Sequence, residues 1–304
     1  MNKKKWARSK IKKQLVWYSF IIVSLVTLIV LVYTPMLSTI KYSMYDVSFL
    51  GYGEEYVGLN NYWLLLSNKT FLKAFFNTLV LMLLGLLTIP FGFVLATLIN
   101  NLGKGKLQSF FRVGYYLPNI ITGVSVILMF EVVLKGNDGL FNNFLSVITQ
   151  REIQVGWLSN SNYAKIGATI LWIWMNLGYS MLVNLANLQS IPTEVYEAAE
   201  VDGANGLKKL FYISIPLMKQ SFAFLFVTSA ISGFSRFTDL FIIGGNNSAG
   251  APGGTLQTIL MYIYQYSFEV PQYGISSAGA MILFVIVFVF TLFNVKITGM
   301  FEEE

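Results

Sequence analysis

The chain has no cysteine and no histidine among its 304 residues. Their absence removes disulfides, thiolate nucleophiles, histidine-based metal sites and imidazole proton chemistry together. Charge is scarce as well: 12% of residues are charged, against 55% hydrophobic and 16% aromatic. That is more apolar surface than a water-soluble core can hide, so the composition is that of a membrane protein. A phosphate loop of the form Gly-x-x-x-x-Gly-Lys-Ser/Thr is also missing. Gly103-Lys104-Gly105-Lys106 comes nearest and lacks both the spacing and the hydroxyl, which excludes ATP hydrolysis by this chain. The sequence holds no internal repeat of about 20 to 50 residues and no low-complexity tract.

The positive charge that is present, a net +6, is concentrated at one place. Lys3, Lys4, Lys5, Arg8, Lys10, Lys12 and Lys13 precede the first apolar run, which makes the excess a topology signal and not a nucleic-acid footprint. That run, 15–38, is longer than a signal-peptide core and ends at no small-residue cleavage site, so it is expected to remain as an anchor. Further apolar runs at 75–99, 111–134, 166–188, 217–243 and 277–295 complete an expected all-α integral membrane fold of six transmembrane helices. With a cytosolic N-terminus, Lys104, Lys106, Arg112, Lys208, Lys209, Lys219 and Lys296 join the arm inside, while Lys41, Lys69, Lys73, Lys135, Arg151 and Lys165 fall outside. The imbalance places both termini in the cytosol. The expected layout is a basic cytosolic arm over 1–14, a first helix and external loop over 15–74, a core domain over 75–297 and an acidic cytosolic tail over 298–304.

The loop over 190–216 differs from the runs that flank it, being charged and cytosolic. Pro192 and Thr193 suit the first turn of a helix, Glu194 and Glu197 complement its positive end, and Gly203 can adopt the left-handed conformation that stops it. Val195, Ala198, Ala199 and Asp202 share one side, where alanines let another surface approach the backbone. Asn205 and Gly206 make a turn, 207–213 forms a second short helix, and Pro216 is expected to end it. A DNA-reading helix-turn-helix is excluded, because the first helix presents Glu194, Glu197, Glu200 and Asp202 where phosphates would need cations. A solvated connector and a docking piece both remain open on the residues alone.

Within the apolar runs, polar side chains recur at helical spacing. The fourth carries Asn176, Ser180, Asn184 and Asn187 with Tyr179 beside them, and the fifth carries Ser229, Ser232, Gly233, Arg236 and Asp239. Lipid penalises such groups, so they face either a path through the bundle or a neighbouring helix. Hydroxyls of a sugar suit amide and hydroxyl partners, and Trp172, Trp174, Tyr179 and Phe234 offer aromatic faces for a pyranose ring. Arg236 and Asp239 lie three apart, and a structural ion pair is favoured over contact with substrate; a free Arg236 would admit an acidic sugar. Pro90 and Gly92 are expected to bend the second helix, and Pro118 to mark the start of the third. The stretch 244–254, rich in glycine, is expected to be an exposed, adaptable loop, either a connector or a docking surface.

Glu197-Ala198-Ala199, then Gly203, Ile213 and Pro216 in fixed register, resembles the signature loop of permease subunits in binding-protein-dependent ATP-binding-cassette importers. Only Ile215 departs, standing where leucine is usual. Val57-Gly58-Leu59-Asn60-Asn61-Tyr62, Phe111-Arg112, Leu117-Pro118 and Phe237-Thr238-Asp239-Leu240 extend the likeness to the carbohydrate-uptake branch, the maltose and multiple-sugar type, from about Val16 to Gly299. The resemblance implies a type I importer permease fold. It implies that Glu197, Ala198, Ala199, Asp202 and Gly203 contact an ATPase subunit, and that Asn176, Tyr179, Ser229, Ser232, Gly233 and Arg236 belong to the substrate path, to which the polar stripes add Asn184 and Asp239. It also implies the partners: a second homologous permease, two ATPase subunits that use ATP and Mg, and an extracytoplasmic sugar-binding protein, with no cofactor or metal on this chain. Substrates of other kinds, an acidic sugar or a glycerol phosphate, are compatible with the same architecture. A membrane enzyme has no catalytic set here, since carboxylates cluster only in the loop and at Glu302-Glu303-Glu304. An ion-coupled transporter would have only Glu131 and Asp239 to use.

Overall fold

The computed structural model describes residues 3–47, 54–121, 123–136 and 139–298. Residue 298 is thus the only part of the expected acidic tail within the described residues. Nothing interrupts the basic arm before the first apolar run, and the two form one helix, α1 (Lys3–Leu28). A π-turn, Ile29–Tyr33, joins it to α2 (Thr34–Tyr42), with the Thr34 hydroxyl donating to the Ile29 carbonyl at 2.9 Å. The apolar part, Trp17–Tyr42, has none of its most apolar window buried in the chain, so it stands against lipid or another subunit. Two short strands, β1 (Tyr45–Asp46) and β2 (Glu55–Tyr56), pair antiparallel and depart from the all-α expectation. Edge-to-face rings of Tyr45 and Tyr56, 5.3 Å apart, hold them together.

Helix α3 (Asn60–Ser67) leads to Asn68, whose side chain accepts from Thr70 N and Phe71 N and caps α4 (Lys69–Gly85). The second span, Lys69–Asn100, breaks at Leu86–Leu87 and resumes as α5 (Thr88–Asn100). The break lies four residues before Pro90, which has no N–H for the Leu86 carbonyl and whose ring would strike it. That carbonyl accepts from Ile89 N at 3.0 Å instead. Gly92 has no part in the bend. It is where α5 meets a later helix, and a Cβ there would sit 2.3 Å from Ser180 Oγ.

The third run is two helices, α6 (Lys106–Ile120) and α7 (Gly123–Val133). Pro118 is buried inside the last turn of α6; the start at Lys106 is twelve residues earlier, so Pro118 does not mark the entry as expected. After α8 (Leu140–Thr149) comes α9 (Ala164–Leu188), the central helix, which packs along α5 and crosses α6. Small residues permit the crossing: a Cβ on Gly178 would lie 2.1 Å from the Tyr115 carbonyl oxygen.

The Glu197 loop folds as α10 (Thr193–Val201), α11 (Gly206–Lys209), a π-turn Leu210–Ser214 and α12 (Ile215–Leu217). Pro216 does not end the second short helix. It lies inside the continuous helical run 206–217, which ends one residue later, and the chain bends by 65° at Met218 before α13 (Lys219–Phe234). The fifth run likewise stops short of its expected end: the helix yields at Ser235–Phe237 and restarts as α14 (Thr238–Ile243), packed on α7. Helix α15 (Ile259–Tyr264), a π-turn Gln265–Glu269 and α16 (Tyr273–Thr298) are the last elements among the described residues.

By length and composition four helical segments can cross a bilayer among the described residues, or six if α6 with α7, and 206–217 with α13, each form one bent span. Four buried apolar clusters form among the described residues, and two of them flank the polar part of α9. One gathers Val126, Ala164, Ala168, Leu171, Leu240 and Met261; the other, beside the Glu197 loop, gathers Phe93, Ala96, Met181, Leu185 and Met218. Along α9 between Leu171 and Met181, Trp174 and Met175 pack against the first cluster, while Trp172, Asn176, Tyr179 and Ser180 line a separate, polar side.

Candidate functional site

In the Glu197 loop, backbone hydrogen bonds fix the geometry. Gly203 stands at φ +78° with its N–H on the Glu200 carbonyl at 3.0 Å, and Ala204 N reaches the Ala199 carbonyl at 2.8 Å. This paired arrangement is the Schellman stop, which requires the left-handed residue that glycine supplies without strain. The Asn205 side chain accepts from Lys208 N at 2.9 Å and starts α11. Glu197, Ala198, Asp202 and Gly203 are exposed and Ala199 is half-buried. Around them Val201, Leu207 and Tyr212 are 89%, 67% and 80% exposed, an apolar surface on a charged loop. Two contacts tie α10 to the second half of the loop: Tyr196 with Ser214, and Lys209 with Glu200 at 2.9 Å.

At mid-depth α5, α9 and α13 enclose a cavity of about 150 Å³ lined by Thr88, Trp172, Asn176, Tyr179, Ser180, Thr228, Ser229 and Ser232. The two polar stripes of the sequence meet here, so Asn176, Tyr179, Ser229 and Ser232 come together. Asn176 and Thr228 turn their donors back onto their own helices, to the Trp172 and Phe224 carbonyls, each at 2.9 Å. The hydroxyls of Tyr179, Ser229 and Ser232 carry no hydrogen bond among the described residues and are free for a guest. Thr88 was not anticipated. It reaches the cavity because the proline-driven break starts α5 there, and its own hydroxyl donates to the Gly85 carbonyl at 2.7 Å.

Other candidate residues lie outside this cavity. Asn184 is fully buried one turn below, donating to the Ser180 carbonyl at 2.9 Å. Gly233 faces α4, where a Cβ would lie 2.9 Å from Met82 Cγ, so it serves close packing. Arg236 sits in the break of the fifth run, not on a continuous helical face, and is 2% exposed. Its Nε donates to Asp239 Oδ2 at 3.0 Å, and its Nη2 donates to the same oxygen and to the Ala168 carbonyl at 3.0 Å. The guanidinium lies over the Trp172 ring, 4.5 Å from its centroid, and so stacks on a wall of the cavity without lining it. The favoured pairing of Arg236 with Asp239 is thus present.

The loop over 244–254 is tied down, contrary to the expectation of adaptability. Asn77 donates to the carbonyls of Gly254 and Gln257 at 2.9 and 3.0 Å, Lys73 donates to Gly253 at 2.7 Å, and Ser248 is fully buried and donates to Glu269. At Gly250, φ is +71° and a Cβ would overlap Gln257 N at 2.0 Å, so glycine is required for close approach rather than for mobility. Gly245 to Asn247 remain exposed at the tip.

A helical membrane bundle with a polar cavity at mid-depth and a protruding two-helix loop has the build of a multi-pass transport subunit. The chain belongs to the family of binding-protein-dependent transport system inner membrane components, which it matches over residues 88–298. It is 30% identical over 286 residues to the multiple sugar-binding transport system permease protein MsmF of Streptococcus mutans, covering 94% of this chain and 96% of that protein. Its fold is that of a bacterial ABC transporter involved in import of the acidic polysaccharide alginate, with a TM-score of 0.80 at 24% identity over 97% of this chain and 99% of that one. A bacterial alginate ABC transporter in complex with an alginate pentasaccharide-bound periplasmic protein superposes with a TM-score of 0.78 at 25% identity, covering 94% of each chain.

Proposed function

We propose that this chain is the permease subunit of an ATP-driven importer for a sugar, an oligosaccharide in particular, and that the Glu197 loop couples it to a separate ATPase. One observation carries the reading: the loop continues through the π-turn and α12 into α13, the helix that brings Thr228, Ser229 and Ser232 to the cavity. Motion imposed on the loop therefore reaches the polar wall through one piece of chain. The excess of cations beside the loop, with Lys208, Lys209 and Lys219, supports a cytosolic loop, cytosolic termini and a path opening alternately to either side. ATP and Mg belong to the ATPase pair, since this chain has no phosphate loop. An extracytoplasmic sugar-binding protein, of the kind bound in the alginate transporter complex, and a second permease complete the proposed assembly. Coupling is assigned to Glu197, Ala198, Ala199, Asp202 and Gly203.

The cavity volume bears on the mechanism. At about 150 Å³ it is smaller than the roughly 300–1,000 Å³ of small-molecule sites, so a pyranose enters only when α13 moves away from α9 or the second permease supplies the other half. The free hydroxyls of Tyr179, Ser229 and Ser232 suit sugar hydroxyls, and Trp172 suits the apolar face of a ring. Filling the cavity with Ser229→Leu is expected to abolish oligosaccharide uptake in cells while the ATPase still co-purifies; undiminished uptake would refute the path. An acidic sugar is a second reading, favoured by the Arg236 Nη1 group, which is buried with no hydrogen-bond partner among the described residues. Its test is uptake of neutral against uronate-containing oligosaccharides by Arg236→Gln, where unchanged discrimination excludes it.

A further inference from the structure

We infer that the hydroxyl pair of Tyr196 and Ser214 is a mechanical latch, which makes the two short helices of the Glu197 loop move with α13 as one body. This inference rests on the permease reading above. The covalent link between α10 and α11 is thin. The Schellman bonds close α10 as far as Ala204 and the Asn205 cap opens α11, but among the described residues no backbone hydrogen bond crosses from one helix to the other, so the Ala204–Asn205 link alone would act as a hinge and absorb a push on α10.

Two contacts bridge that hinge. The ion pair of Glu200 and Lys209 has a glutamate side chain 71% exposed, where water and salt weaken it. The other bridge is sheltered: Tyr196 Oη lies 2.9 Å from Ser214 Oγ, and Ser214 is 4% exposed. Ser214 Oγ also reaches the Lys209 carbonyl, at 3.4 Å. A serine has one hydroxyl proton, so with that proton on Lys209 the tyrosine is the donor to Ser214. The Ser214 carbonyl accepts from Met218 N at 3.0 Å across the 65° bend into α13. Met218 is itself buried with Phe93, Met181 and Leu185, so the bend is packed and not free. Ser214 thus joins α10, the π-turn and the start of α13, and Tyr196 is a positioning residue that acts through it.

The absence of native cysteine permits a direct test. Spin labels on Glu194→Cys and Gln220→Cys, both exposed, report the spacing of α10 and α13 in the importer assembled with its ATPases, nucleotide-free and trapped with ATP and vanadate. The parent is expected to give one narrow distance distribution in each state. Tyr196→Phe and Ser214→Ala should each broaden it, raising the displaced population about two- to tenfold, the range one buried hydroxyl bond supports. The double variant should do no more than either single. Ser214→Thr, which keeps the hydroxyl, should restore the narrow distribution and so separate loss of the bond from loss of packing. A Tyr196→Phe distribution equal to the parent's in both states, with ATPase bound, would overturn the latch. Failure of the permease reading would look different: the unmodified chain would retain no ATPase subunit.

Discussion

Replacing Asp239 by Asn keeps the shape of the side chain and removes its charge, which isolates the worth of the buried ion pair. In the native chain the Arg236 guanidinium donates twice to Asp239 Oδ2 and once to the Ala168 carbonyl, above Trp172. After the substitution the carbonyl and the ring remain, and a full positive charge stays in a site where Arg236 is 2% exposed. Breaking a buried pair from one side costs about 3–5 kcal/mol, because the stranded charge cannot regain its water. At about 2–4 °C per kcal/mol for a chain of this size, the melting temperature should fall by about 6–20 °C. Heating purified protein in detergent and following the monodisperse fraction by fluorescence would measure the fall. The companion variant Arg236→Met/Asp239→Leu removes both charges and should melt within about 1 kcal/mol of the parent. Asp239→Asn melting with the parent, or the double variant melting as low as the single, would refute the reasoning.

Gly92→Ala should destabilise by about 1–3 kcal/mol in the same assay, since its Cβ would meet Ser180 Oγ at 2.3 Å and Met181 N at 3.0 Å and force α5 from α9. Asn77→Leu removes both bonds to the Gly254 and Gln257 carbonyls, and limited proteolysis should then cut within 244–254 where the parent resists. Gly203→Ala meets no neighbour and pays only for the left-handed backbone, about 1 kcal/mol, so the melting temperature should barely move.

What was legible in the sequence is what local rules govern. The stop at Gly203, the turn at Asn205 and the polar stripes of α9 and α13 follow from neighbours within one or two turns, and the chain places them where those rules put them. The Arg236–Asp239 pair was legible too, though for a different reason: the two lie together even with the helix broken at Arg236. The helix breaks were less legible. Pro90 acts on the carbonyl four residues back, so its bend appears at Leu86, and Pro118 is tolerated inside the last turns of α6. Glycine in 244–254 read as freedom, whereas long-range bonds from Asn77 and Lys73, whose side chains are remote in sequence, pin the loop. Thr88 joined the cavity only through the break that precedes it. The apolar run through 243 disguised the end of α13, because Leu240 and Ile243 are apolar for burial against α7 and not for contact with lipid.

The central claim, that this chain is the passive half of an importer driven through the Glu197 loop, is tested most directly by co-purification with an ATPase subunit from the native membrane, paired with uptake into vesicles. The parent should retain the ATPase and import only with ATP. Gly203→Asp, which places a side chain on the exposed left-handed turn, should lose the ATPase while its elution profile and melting temperature stay close to the parent's. Full uptake by this chain alone, without an ATPase, would contradict the claim.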